Sequence, residues 1–478
     1  MARPLYLTTT LPYVNADPHV GFALEMVQAD IVARYRHILG DDVFFSTGTD
    51  EHGQKIYEAA QKAAKKPQDY VDEYAAKFRS LRETLNLSED LHFVRTTDPH
   101  HVAAAQEIWR RCAAAGDIEK RTYKGLYCVG DEAFMKENDL VDGRCPNHPN
   151  MDLVELEEEN YFFKLSKYQD RLLEYLGRAG VIVPEWRRQE ASKFVERGLE
   201  DFSISRVKEK MPWGIPVPDD DTQVMYVWFD ALTNYISTLG WPTDAEGNFR
   251  KFWTEGEVMQ MGGKDQVRFQ SIMWQAMLMS AGIKNTDRVF YHGFITSGGQ
   301  KMSKSLGNVI DPLAVADEYG IDALRYFLAR HVHPFEDSDF TMERFKEAYN
   351  ADLANGLGNL AARIMTLAET HLSEAIARPE SSGFPAPYTE ALAAYDFNCA
   401  FDFVWSEIQK LDQKIAETKP FSLVKTDLEA GKRLIAELAT ELYGIVRLVT
   451  PVMPETSAKI KATILANKKP ETLFPRKE

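Results

Sequence analysis

The 478-residue chain is 44% hydrophobic and 27% charged, with a formal net charge of −16, the composition of a folded protein too long for one compact core. No apolar run is long enough for a signal peptide or a membrane span, which points to the cytoplasm, and four cysteines in so long a chain argue against a disulfide framework. The acidic balance disfavours indiscriminate nucleic-acid binding. Residues 401–478, however, carry 13 Lys+Arg against 11 Asp+Glu, so a nucleic-acid partner would be met by local surface.

In chain order, "PLYLTTTLPYVN" predicts a short strand running into a loop. "FALEMVQADIVARYRHILG" has helical apolar spacing with Gly40 as its stop, and "DDVFFSTGTDEHG" predicts a second strand ending in a polar turn. Strand, loop, helix, strand opens a parallel α/β sheet, where ligands gather at the carboxyl ends of strands. Between about 118 and 215, short β-rich pieces ("TYKGLYCVG", "NYFFKLS") surround a Cys/His cluster, as in an inserted module. The sheet pattern is expected to resume with "QVMYVWFDALTNYIS" and "RVFYHGFITSGG". From about 340 the pattern is helical, interrupted by the Pro/Ser/Gly-rich stretch "ARPESSGFPAPYTE", residues 377–390, read as a loop.

Two motifs point to phosphate chemistry. In "NADPHVGFALE", His19 and Gly21 fall where the first strand gives way to the first helix, and helix N-termini favour anions. In "GGQKMSKSLGN", Lys301 and Lys304 lie three apart between serines and glycines. A solvated surface loop is the plain reading of such a run. Paired with the His19 turn, the lysines would neutralise the far phosphates of a nucleotide, while Ser303 and Ser305 hydrogen-bond to the same oxygens.

Trp228, Ala231 and Tyr235 are spaced for one helix face, either a core stripe or a pocket with a small residue between two aromatics. Gln266, Gln270 and Trp274 share another stripe; the glutamines either bond inside a pocket, reach ribose or water, or mark a partly buried face. Cys128-x2-Asp131-x13-Cys145-x2-His148 has zinc-knuckle spacing, with a metal-free turn as the competing reading.

"PHVG" and "KMSKS" resemble the two signature motifs of class I aminoacyl-tRNA synthetases. "TLPYVNADPHVG", "TGTDEHGQKI", "YVWFDALTNYI", "GGKD", "HGFITSGGQKMSKSLGN" and "DALRYFL" narrow the resemblance to methionyl-tRNA synthetases. The resemblance implies activation of methionine by ATP and Mg2+, followed by transfer to tRNA(Met). It implies a Rossmann-like parallel-sheet nucleotide-binding domain in two halves, residues 1–117 and 216–339, a knuckle module at 118–215 and a C-terminal α-helical anticodon-binding bundle at 340–478. ATP would be bound by Pro18, His19, Gly21, Gly263, Asp265, Lys301, Met302, Ser303, Lys304 and Ser305, with His19, Gly21, Lys301 and Lys304 serving the chemistry. Methionine would be bound by Leu11, Tyr13, Asp50, Trp228, Ala231, Tyr235, Gln266, Gln270 and Trp274, with Asp50 as partner of its ammonium group.

Asn359, Arg363 and Phe421 stand where the family meets the anticodon, Phe421 in the usual place of tryptophan, with core packing as its alternative. One structural Zn2+ would sit at Cys128, Asp131, Cys145 and His148, Asp131 replacing the usual cysteine. Phe22 departs from the family, which usually has a second histidine there. Together with the two glutamines it is the best support for the alternative, a catalytically weakened synthetase-like RNA-binding or regulatory paralogue. A monomer is expected, since the sequence shows no appended dimerisation domain.

Overall fold

The computed structural model describes residues 2–130, 133–135, 140–146, 148–302, 307–379 and 383–478. The chain divides into two compact units, one of Met1–Asp17, Asp42–Arg79 and Asp90–Tyr291, the other of Pro18–Asp41, Ser80–Glu89 and His292–Glu478.

A six-stranded sheet organises the first unit, in the order Leu91–Arg95, Asp42–Thr49, Pro4–Thr8, Glu257–Gly263, Arg288–His292, Ile182–Val183. Pro4–Thr8 runs parallel to both of its neighbours, with Leu5 opposite Val43 on one side and Glu257 on the other. Parallel sheets are covered on both faces, and Leu5, Tyr6 and Leu7 are accordingly fully buried. Tyr6, Trp109, Phe229, Trp253 and Trp274 belong to one aromatic-rich core cluster; burying each large apolar side chain contributes roughly 1.5–3 kcal/mol.

Two expectations about this unit need correction. "QVMYV" does not rejoin the main sheet: Asp220–Met225 pairs antiparallel with Ser205–Val207 and Pro216–Val217 in a separate small sheet. The strand that does enter beside Pro4–Thr8 is Glu257–Gly263, which the hydrophobic pattern did not single out. Its "EVMQMGG" places a fully buried Gln260 mid-strand, where Oε1 accepts from the Thr286 hydroxyl at 2.9 Å while Nε2 has no hydrogen-bond partner among the described residues. A distant partner, not local periodicity, makes that polar position tolerable. The inserted region is β-rich: Ile118–Cys128 pairs antiparallel with Val154–Phe163 in a four-stranded sheet.

The second unit is mainly helical. Val20–Ile38 ends before Gly40, whose φ of +89° suits the glycine that stops the helix. Asp396 and Asp427 cap the N-termini of Phe397–Thr418 and Leu428–Val449 by accepting from the N–H groups of Cys399 and Ala430. Inside the stretch predicted as loop, Ala386–Ala393 forms a helix, because a proline in the first turn lacks only an N–H that would have no intrahelical partner anyway.

A buried ionic cluster ties this unit's separate segments together. Asp30 accepts from Arg325 Nη2 and Arg34 Nε, both at 2.6 Å, and from the Ser88 backbone N–H and hydroxyl at 2.7 and 2.6 Å. Arg325 also donates to the carbonyls of Leu85, Pro451 and Val452. Burial alone would push the Asp30 carboxyl up, but Arg325 and Arg34 outweigh it and hold the group below the usual carboxylate range. Among the described residues, no helix is long and apolar enough to cross a membrane.

Candidate active site

In the second unit, His19 is the N-cap of helix Val20–Ile38, and its Nδ1 accepts from the Gly21 N–H at 3.0 Å. That bond leaves Nε2 to carry the ring proton, so the imidazole presents an N–H donor beside a helix N-terminus. A Cβ on residue 21 would stand 2.8–2.9 Å from the imidazole and 3.9 Å from Met302 Cε, which explains a glycine at this position. The Phe22 ring centroid lies 4.4 Å from that of His19, so the departing residue packs on the imidazole.

The two signature segments meet here. The Val20 N–H donates to the Ile310 carbonyl at 3.0 Å, just beyond the lysine motif. Gln300–Lys301 forms a two-residue strand against Ile295–Ser297. Ser303, Lys304 and Ser305 lie outside the described residues, as does the side chain of Lys301.

The first unit holds the proposed amino-acid residues. Tyr13 and Asp50 face each other across a parallel bridge: the Asp50 N–H donates to Pro12 and its carbonyl accepts from Val14. Leu11 and Tyr13 are half-buried, and Asp50 is buried. Trp228, Ala231 and Tyr235 lie on two short successive helices, Val227–Ala231 and Asn234–Ser237, rather than one. Trp228 stacks on Phe269, with ring centroids 3.6 Å apart and planes 11° apart. Tyr235 packs against Trp274 at 5.7 Å.

The two glutamines part company. Gln270 is fully buried and donates through Nε2 to the Tyr235 hydroxyl at 2.8 Å, so it lies inside, away from solvent. Gln266 belongs to a tight turn, Lys264–Gln266, and donates to its exposed neighbour Asp265. Gly263 closes the central strand, with Asp265 two residues beyond, at the carboxyl end where such sheets bind ligands.

Sequence reasoning did not assign roles to Phe269, Glu51, His52 or Asp230, although the last three lie inside the motifs it singled out. Glu51 is fully buried and takes both oxygens to Arg95, at 2.7 and 2.9 Å, so the residue next to Asp50 is clamped.

Cys128, Cys145 and His148 bring one ligand atom each within 4.8 Å of one another, the sulfurs 3.8 and 3.9 Å from His148 Nδ1. A Cβ on residue 130 would come within 2.4 Å of the His148 ring, so Gly130 lets the imidazole close over the knuckle. Two thiols and an imidazole converging on one point suit zinc. Asp131 lies outside the described residues. In the helical region Asn359 is exposed at the start of helix Asn359–His371, Arg363 pairs with Asp412, and Phe421 is 50% exposed on helix Pro420–Thr426.

A His-x-Gly helix entry hydrogen-bonded to the segment that follows a lysine motif is the mark of a class of nucleotide-activating protein, and comparison agrees. The family model described as tRNA synthetases class I (M) matches residues 5–155 and 150–365. The methionine–tRNA ligase of Thermotoga maritima is 40% identical over 97% of this chain and 76% of its own length, and that of Nostoc sp. 41% identical over 95% and 88%. Mycobacterium tuberculosis methionyl-tRNA synthetase in complex with methionyl-adenylate superposes with a TM-score of 0.88 at 37% identity, covering 100% of this chain and 99% of that one. The chain belongs to the methionyl-tRNA synthetase family.

Proposed function

We propose that this chain is an ATP-dependent methionine–tRNA ligase that forms methionyl-adenylate and passes the methionyl group to tRNA(Met). The observation that carries the reading is the Val20–Ile310 hydrogen bond, which brings together two signature segments about 280 residues apart in sequence. The methionine carboxylate attacks the α-phosphorus of ATP and pyrophosphate leaves. A ribose hydroxyl of the terminal adenosine of tRNA then takes the acyl group from the adenylate, and AMP leaves. No protein nucleophile is required; His19 Nε2–H and the lysines supply donors to phosphate charge that grows during the first step. Asp50 pairs with the substrate ammonium, and the Trp228, Tyr235 and Trp274 rings surround the thioether, which packs well against aromatic edges. Magnesium travels with the nucleotide, bound chiefly to its phosphates.

Cys128, Cys145 and His148, with Asp131 as the fourth ligand, would hold one zinc that orders the knuckle. We further place the protein in the cytoplasm, where its substrates are, acting as a monomer; light scattering checks the latter. ATP–pyrophosphate exchange across a panel of amino acids tests the assignment. Methionine should be activated far better than leucine or isoleucine, although one methylene gives only about 10–200-fold discrimination by itself. Equal activation of isoleucine would overturn the reading, and exchange without any charging of tRNA(Met) would favour the regulatory paralogue.

A further inference from the structure

Behind the methionine residues lies a buried polar constellation. Asp230 sits between Trp228 and Ala231 with no exposure, and both of its oxygens are taken. Oδ2 is 2.6 Å from His52 Nδ1, and Oδ1 is 2.8 Å from His101 Nε2. His52 follows Asp50 by two residues. His101, from helix Pro99–Ala114, places its Nδ1 2.9 Å from the Ser237 hydroxyl, two residues beyond Tyr235.

Serine, histidine and aspartate in this order invite comparison with a hydrolytic triad. Ser237, His101 and Asp230 are each 0% exposed, so no substrate carbonyl can reach the hydroxyl, and a nucleophilic role is excluded. What the constellation can do is hold. His101 clasps the pocket segment at Asp230, two residues after Trp228, and at Ser237, two after Tyr235, and His52 ties that segment to the Asp50 turn. Between Asp50 and His52, the Glu51–Arg95 clamp and the Trp213 indole N–H on the Glu51 carbonyl at 2.6 Å complete the restraint.

We propose that Asp230 is a positioning residue for methionine recognition. Through His52 and His101 it sets the separation between the carboxylate that meets the ammonium and the aromatic groups that meet the thioether. The proposal rests on the ligase reading above. An amino acid bound at both ends needs those two ends at a fixed spacing, and a carboxylate held by two directional N–H donors provides it. A buried carboxylate is costly unless fully hydrogen-bonded, which is the reason both oxygens carry a partner. Burial opposes its ionisation, yet the two histidines hold the carboxyl below its ordinary range.

The test is ATP–pyrophosphate exchange with the full chain, reading the KM values for methionine and ATP separately. Methionine-dependent exchange by the unaltered protein must be seen first; its absence would sink the ligase reading itself. His52→Ala should raise the methionine KM about 10–100-fold, the loss typical for a residue that orients a binding group, with the ATP KM within about twofold. His52→Asn, whose amide N–H stands where Nδ1–H stands, should restore most of the loss, and Asp230→Asn should behave like His52→Ala. If Asp230→Asn does not fold, the two His52 variants decide. An unchanged methionine KM in His52→Ala would overturn the proposal. So would equal impairment of His52→Asn and His52→Ala, or a parallel rise in both KM values with a lowered melting temperature.

Discussion

Each unit encloses a carboxylate with no solvent exposure, Asp230 in one and Asp30 in the other, and the two are held by different chemistry. Asp230 has one N–H from each of two histidines. Asp30 has two guanidiniums and a serine, and Arg325 places three further donors on carbonyls from two other segments. An arginine is charged at every working pH and offers a rigid fork, so it suits a staple that joins several backbones. An imidazole N–H is a single donor with one direction, and two of them fix the orientation of what they touch. The same residue type is therefore a fastening for the fold in the helical unit and a spacer for the amino-acid site in the sheet unit.

That contrast can be broken at its strongest point first. Arg325→Met leaves Asp30 short of its main partner, and breaking a buried pair by removing one side typically costs about 3–5 kcal/mol. Urea unfolding should show a loss of that order, with the methionine KM of the remaining folded protein little changed. A loss below about 1 kcal/mol, the worth of a surface pair, would erase the distinction between staple and spacer.

Next in size is Lys304→Ala. Removing one donor aimed at charge that develops in the transition state usually costs ~10²–10³ in rate. Exchange should slow by that factor while methionine affinity holds. A near-normal rate would reduce the lysine motif to a surface feature.

Smaller still is Phe421→Ala. The ring is 50% exposed, and stacking of an unpaired base on an aromatic is worth ~1–3 kcal/mol. Charging of tRNA(Met) should weaken accordingly with exchange almost intact; equal loss in both assays would reassign Phe421 to packing.

The smallest effect is expected at Asp322, a buried carboxylate of the helical unit that lacks what Asp30 has. Oδ2 accepts the Thr456 N–H at 2.6 Å, and Oδ1 is buried without a hydrogen-bond partner among the described residues. Burial raises its carboxyl above the ordinary value against the pull of Thr456 and Arg325. The folded state therefore binds the proton more tightly than the unfolded chain. This group's contribution is fully present below the ordinary carboxylate range and is lost as pH rises through the raised value. Asp322→Asn keeps an acceptor for Thr456 and removes the charge. It should stabilise at pH 7 by under about 1 kcal/mol and change nothing near pH 3, as thermal melts at the two pH values would show. Destabilisation at pH 7 would mean that attraction to Arg325 outweighs burial.

The helix ending at Gly40, the strands on either side of it, the β-rich insert and the helical C-terminal region from about residue 340 were legible because each is written in consecutive residues. The signature motifs were legible for the same reason, as chemistry concentrated in a few adjacent positions. Tertiary structure alone decided that Glu257–Gly263 pairs with Pro4–Thr8 while the equally apolar "QVMYV" goes to a separate sheet. It also decided that Gln270 turns to Tyr235 while Gln266 turns to Asp265. The two buried carboxylates are the extreme case: Asp230 meets His52 across 178 positions, and Arg325 meets Asp30 across 295. A periodic pattern reports which side of an element is apolar. Whether a polar side chain can be buried depends on a donor or acceptor that only the folded chain brings within 3 Å.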